Sequence, residues 1–310
     1  METSLFIHVG LPKTGTTFMQ EKVFKTWQGV NYLGRPFHFS RLFKLNQVFF
    51  PISIISSENI LGKLGEDIFS SAPEHSYRSS NFLAIKNLAT IFPNAKIILS
   101  LCRQDTFVES IYKQYLRNGG NLSISGLYTP NSQSGILHDE DLEFIPLIEC
   151  IIQNFQTPPF VFLREEIATD LDGLMEDLAH FIGTSTVPQV NNRRPLNAGV
   201  MSLEGDFLRY LNGSSLIVRF LKVRAVHLFF KIFGLTGSTY EIASLLRNFG
   251  RQTPIKIPEP HKLAMRDEFC SDWSAVLEYV RTTRGRDCEK FAFEKIQNHR
   301  QEHSETDALI

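Results

Sequence analysis

Paired cysteines are missing from this chain. Its four cysteines, Cys102, Cys150, Cys270 and Cys288, are widely scattered and never form a C-x-x-C pair. That excludes the common zinc spacings and offers no disulfide framework, so free thiols in a reducing compartment are expected. An excess of charge of one sign is missing too. Lysine plus arginine number 32 against 33 aspartates and glutamates, a formal net charge of -1. No global field then draws the protein to nucleic acid or to an anionic membrane, and any anion site must be local. No uninterrupted apolar run reaches the roughly 18 residues a spanning helix needs. The opening "METSLFIHVG" lacks the basic and then apolar pattern of a signal peptide, so a cytoplasmic protein is expected.

What is there is a core-forming composition: 310 residues, 43% hydrophobic and 21% charged, enough for one large domain or two small ones. "SLFIHV" (4–9) suits a buried strand, and "TTFMQEKVFKTW" (16–27) a helix with Phe18, Val23 and Trp27 roughly on one side. "PISIISSE" (51–58), "AKIILSLCR" (95–103) and "PFVFLRE" (159–165) read as further strands. Helices are expected over 81–92, 105–120 and 169–183, the last capped by Thr169 or Asp170. Strands alternating with helices imply an α/β fold, a three-layer sandwich around a mostly parallel sheet. Ligands in such sheets collect beyond the carboxyl ends of the strands. The stretch 119–135 is rich in Ser, Gly and Asn and reads as a surface loop, and beyond residue 200 the pattern becomes helical.

The richest signal lies between the first strand and the first helix. In "HVGLPKTGTT", Gly10 and Gly15 have the G-x-x-x-x-G separation of a nucleotide-binding loop. Lysine should follow the second glycine in that motif. Here Thr16 follows it, and the lysine is Lys13, inside the loop. A glycine loop feeding a helix N-terminus still presents backbone N–H groups to an anion, and Thr14, Thr16 and Thr17 add hydroxyls. The strands of 51–58, 95–103 and 159–165 end in Glu, Arg and Arg-Glu, so none supplies the aspartate that holds magnesium in kinases and ATPases.

"HVGLPKTGTTFMQ" resembles the 5′-phosphosulfate loop of sulfotransferases that use 3′-phosphoadenosine 5′-phosphosulfate (PAPS), whose form is a strand followed by P-K-[TSA]-G-T-[TS]. The resemblance spans residues 4–200 and implies a P-loop-like fold with the PAPS-binding core at 1–200. Residues 201–310 would form a helical C-terminal part of the same domain, on the acceptor side or in packing. By position it implies that Lys13 contacts the bridging region of the phosphosulfate. Pro12, Thr14, Gly15, Thr16 and Thr17 would surround the 5′-phosphate. The family binds the 3′-phosphate with an arginine at a later strand end and a serine on the next helix. "LCRQDTFVES" is similar to that element and offers Arg103 and Ser110. The family's usual separation is eight residues, whereas Arg103 and Ser110 are seven apart; Cys102 stands where the usual arginine would be. Arg103 also reads as a partner for Asp105 or Glu109 on a solvated face. Arg193, Arg194 and Asn197, in "NNRRPLNAGV", are candidates for the loop that closes over the nucleotide, or a surface feature.

The resemblance implies a sulfuryl transfer to a hydroxyl, most simply of a carbohydrate or glycoconjugate, with 3′-phosphoadenosine 5′-phosphate as product and no metal. A base should take the acceptor proton. Glu58, just past the second strand, is the first candidate, with helix N-terminal charge compensation as its other reading; His38, in "GRPFHFS", is the second. His8, inside the first strand, reads as a core histidine. The segment 216–234 mixes Arg219, Lys222, Arg224 and Lys231 with phenylalanines, as a packed amphipathic helix or a peripheral membrane contact suited to a glycolipid acceptor. Two other readings stay open: a small-molecule kinase with a P-loop, and a non-catalytic nucleotide-binding protein.

Overall fold

The computed structural model describes residues 4–34, 51–57, 60–61, 76–190, 202–214 and 255–293. Strand β1 (Ser4–Gly10) lies at the centre of a five-stranded sheet of order β2-β3-β1-β4-β5. Its neighbours are β3 (Ile52–Ser56) and β4 (Lys96–Leu101), and β2 (Asn31–Leu33) and β5 (Phe160–Leu163) form the edges. Every pairing is parallel. That explains why the inner strands read as continuous apolar runs: both faces of a parallel sheet are covered by helices.

The alternation of side chains divides the core into two layers. Phe6, Ile54, Ile98, Phe160 and Phe162 face one side. There they pack on the helix that opens as α1 (Thr16–Phe18) and continues through a π turn (Met19–Val23) and a 3₁₀ turn (Phe24–Thr26). Ile7, Val9, Ile97, Leu99, Leu101, Val161 and Leu163 face the other side. This layer is covered by α2 (Tyr77–Ile91), α3 (Gln104–Arg117) and, later in the chain, α6 (Ile145–Asn154). Between them, α4 (Ile124–Leu127) and α5 (Asp139–Leu142) punctuate the connection that reads as loop in the sequence. Asp139 fixes that connection by accepting from Tyr128 Oη at 2.5 Å and from the Asn131 N–H at 2.9 Å.

Beyond β5 come α7 (Arg164–Thr169) and α8 (Leu171–Ile182). Asp170 caps α8 by accepting from the Gly173 N–H at 3.3 Å, and Gly183 ends it in the left-handed conformation. Two more helices, α9 (Ser202–Gly213) and α10 (Glu259–Arg284), bring Leu208, Met265, Phe269, Trp273, Val276 and Val280 into the same core cluster as Ile7 and Val9. Among the described residues, no helix is long and apolar enough to cross a membrane. The segment 216–234 lies outside them.

Candidate active site

Four strand ends converge at the carboxyl edge of the sheet: Gly10 of β1, Ser56 of β3, Leu101 of β4 and Leu163 of β5. The loop leaving β1 is held from below. Thr14 Oγ1 donates to the Leu11 carbonyl at 2.6 Å and lies 2.6 Å from Ser100 Oγ. The Thr14 N–H also turns inward, to the Leu11 carbonyl at 3.3 Å. Thr14 is therefore the loop's anchor, and its hydroxyl faces the sheet.

Above this anchor the backbone takes an unusual path. Lys13 has φ 69° and Gly15 φ 94°, both left-handed. A non-glycine residue there costs roughly 1–2 kcal/mol, and such strain clusters at functional sites. At Gly15 a side chain would be excluded twice, by the angle and by Ile167 Cδ1, 2.6 Å from where Cβ would stand. The first helical hydrogen bond runs from the Met19 N–H to the Gly15 carbonyl at 3.1 Å. The N–H groups of Gly15, Thr16, Thr17 and Phe18 thus precede the ladder and face the mouth.

Thr16 supplies the clearest sign of a ligand. Its side chain is buried, with the residue 2% exposed, yet Oγ1 has no hydrogen-bond partner among the described residues. It packs on Gly10, where a Cβ would collide with it and sit 2.6 Å from Ser100 Oγ. A buried hydroxyl left unsatisfied costs about 1–3 kcal/mol. A phosphate-like oxygen would offset that, so the residues present fit a phosphate-like anion.

The second lip of the mouth is braced by a buried network. Gln20 Nε2 donates to the Ser56 carbonyl at 3.2 Å and to Ser56 Oγ at 3.0 Å, and His8 Nδ1 lies 2.7 Å from the same Oγ. His8 stacks on Phe162 and meets Phe24 edge-on, with ring centroids 5.8 and 5.2 Å away. Burial pushes its pKa down to about 3, so it is neutral. It is a core histidine, as its place in the strand implies, and it ties β1 to the end of β3.

The arginine and serine read from "RQDTFVES" are not brought to each other. Arg103 forks onto Asp105, with Nε to Oδ1 at 2.9 Å and Nη2 to Oδ2 at 3.0 Å, and its guanidinium lies 5.0 Å from the Phe293 ring centre. Ser110 Oγ instead accepts from Arg164 Nη1 at 3.3 Å. The same Nη1 donates to the Lys13 carbonyl at 3.2 Å. Arg164 and Ser100 are the residues that motif reading alone passes over. The available signal is that "FVFLRE" is a strand ending in arginine. Next to it, Glu165 accepts from the Arg103 N–H at 3.2 Å, and burial raises its pKa. Glu58, His38, Arg193, Arg194 and Asn197 lie outside the described residues.

No protein-family model matches the chain, and no curated protein does. Among solved structures, the chain is similar to a sulfotransferase from Alicyclobacillus acidocaldarius, with 12% sequence identity and a TM-score of 0.49; the match covers 94% of this chain and 99% of that one.

Proposed function

We propose that this protein is a PAPS-dependent sulfotransferase acting on a hydroxyl of a carbohydrate or glycoconjugate. The observation that carries the reading is the loop itself. A buried Thr16 hydroxyl without a partner among the described residues and four N–H groups ahead of the helical ladder belong to one loop, and the lysine stands before Gly15 instead of after it. Lysine after the second glycine reaches a β/γ-phosphate. Lysine inside the loop suits a shorter chain, with the charge needed at the link between the phosphate and the next group.

The donor would supply the sulfuryl group. Gly15, Thr16 and Thr17 would hold its 5′-phosphate through their N–H groups and the Thr16 hydroxyl, while Thr14 and Ser100 keep the loop on the sheet. Lys13 would stabilise negative charge on the oxygen that departs, a contribution expressed mainly in the transition state. Glu58 or His38 would take the acceptor's proton. The site would be fixed before the ligand arrives, because Arg164, Thr14 and the left-handed pair Lys13 and Gly15 already set the loop's path.

Thermal shift with adenosine 3′,5′-bisphosphate, set against ATP plus magnesium, tests this reading. Stabilisation by the bisphosphate alone is expected, and Lys13→Ala should remove most of it together with turnover from labelled PAPS. A shift with ATP alone would replace the proposal with a kinase, and a shift with neither with a non-catalytic protein.

A further inference from the structure

We propose that Arg164, brought to the mouth from the end of β5, is this chain's cation for a second anionic group of the ligand, the place Cys102 leaves without a charge. The inference rests on the proposed PAPS-dependent function and assigns a binding residue within it.

The strand register makes the substitution possible. The last ladder pair of β4 and β5 is Leu101 with Leu163. Cys102 and Arg164 therefore follow one residue beyond the ladder on adjacent parallel strands, which run about 4.8 Å apart. The Cys102 side chain is fully buried, near enough to the Arg164 guanidinium to feel its charge. Arg164 thus delivers a positive charge beside the position at which β4 has none.

The state of that charge points to a ligand. Among the described residues, no aspartate or glutamate lies within ion-pair distance of Arg164. Among the described residues its acceptors are neutral: the Lys13 carbonyl and Ser110 Oγ. Neighbouring Glu165 turns its carboxylate to the Arg103 N–H instead. A guanidinium has five N–H donors, and these two contacts both use Nη1. Ser110 accepts from Arg164, so its own hydroxyl proton is free to be donated onward. The same nitrogen that meets Ser110 also reaches the loop, whose Thr16 hydroxyl has no partner among the described residues. One anion at the loop and a second at Arg164 and Ser110 describe a ligand with two separate phosphate-like groups. The arginine linking both positions also holds the Lys13 carbonyl, so filling one would steady the other.

Titration calorimetry with adenosine 3′,5′-bisphosphate and adenosine 5′-monophosphate reads the second group directly. Wild type should prefer the bisphosphate. Arg164→Gln, which keeps hydrogen bonding and removes the charge, should lose about ten- to a hundredfold in bisphosphate affinity, with a smaller loss for the monophosphate. Arg164→Lys should recover part of the difference, and the loss should exceed that in Arg103→Ala. Arg164→Gln with the wild-type preference intact, or a larger loss in Arg103→Ala, overturns this inference and leaves the sulfotransferase reading standing. A wild type that takes neither nucleotide overturns both. If Arg164→Gln does not fold, Ser110→Ala carries the test: a loss of a few-fold confined to the bisphosphate is expected, and an equal effect on both nucleotides overturns the assignment.

Discussion

Two arginines flank the short helix α7, and they are compensated in opposite ways. Arg284, at the end of α10, enters from the core side with its side chain 4% exposed. It forks onto Glu166 at 3.0 and 2.9 Å, bonds Asp177 at 3.2 and 2.9 Å and the Val161 carbonyl at 3.0 Å, and lies over the Phe160 ring. Arg286 adds a further clasp on Asp177, at 2.8 and 3.0 Å. Arg164, at the start of the same helix, meets neutral acceptors and faces the mouth. A guanidinium closed in by carboxylates is architecture, because its charge is spent. One held by a carbonyl and a hydroxyl is positioned with its charge still to be used. The two are coupled, since Glu166 also accepts from the Leu163 N–H at 2.8 Å and so fixes the turn on which Arg164 stands.

The sharpest way to test the contrast is to remove the spent charge. Arg284→Ala leaves the Glu166 carboxylate buried, its side chain 5% exposed, with Asp177 beside it. Breaking a buried pair from one side costs about 3–5 kcal/mol, which equilibrium urea denaturation would read. If Arg284→Ala proved harmless to stability, the division into architectural and ligand-facing arginines would fail at its stronger end. Acid should act on the same cluster. Burial raises the Asp177 pKa, but hydrogen bonds and charge from Arg286 and Arg284 outweigh that and bring it below 3.8. Its stabilising contribution is then present above pH 3.8 and lost as pH falls through the lower folded value.

His8 supplies a buried base with no counter-charge, and the next largest effect. Its folded pKa of about 3 lies below the ordinary 6.5, so between those values the unfolded chain binds the extra proton. Stability is full above pH 6.5 and falls as pH drops towards 3. At pH 5 the loss would be about 2 kcal/mol. His8→Gln should flatten the slope of the urea midpoint between pH 6.5 and 4. An unchanged slope would assign the acid sensitivity elsewhere.

The layered α/β plan was legible because apolar strands and amphipathic helices carry their periodicity locally, and the ends of β1, β3, β4 and β5 fall within a few residues of the reading. β2 was not legible: Asn31–Leu33 is three residues long and exists by pairing with β3. α6 was missed although "IPLIECIIQN" has a helical face that buries Leu147, Ile148 and Ile151, because a short run rich in isoleucine reads equally as a strand. The loop at 10–17 was readable as a motif, yet the motif gives Thr14 and Thr16 the same weight. Only the fold sends the first hydroxyl to Leu11 and Ser100 and leaves the second without a partner among the described residues. Arg164 could not be found by spacing from Ser110, since the two are 54 residues apart in the chain and meet through the β4–β5 register.

The smallest expected effect is at Arg103, which lies between the two extremes. Its fork on Asp105 resembles the pairing of Arg284, and the Asp105 side chain is only 4% exposed. But Asp105 does not depend on that arginine alone. It also accepts from the Thr106 N–H at 2.7 Å and from Thr106 Oγ1 at 3.3 Å, and it sits in the first turn of α3, where a negative charge favours the helix dipole. Arg103→Ala therefore leaves a carboxylate that keeps two donors, and a cost of about 1 kcal/mol follows. That is well short of the loss at Arg284, where among the described residues Glu166 would keep only the Leu163 N–H. Part of the cost should disappear in high salt, because the Arg103 side chain is 26% exposed and screening reaches it. A stability loss equal to that of Arg284→Ala would mean that Asp105 needs the arginine to stay in the first turn of α3 after all, and the three arginines would no longer form a graded series.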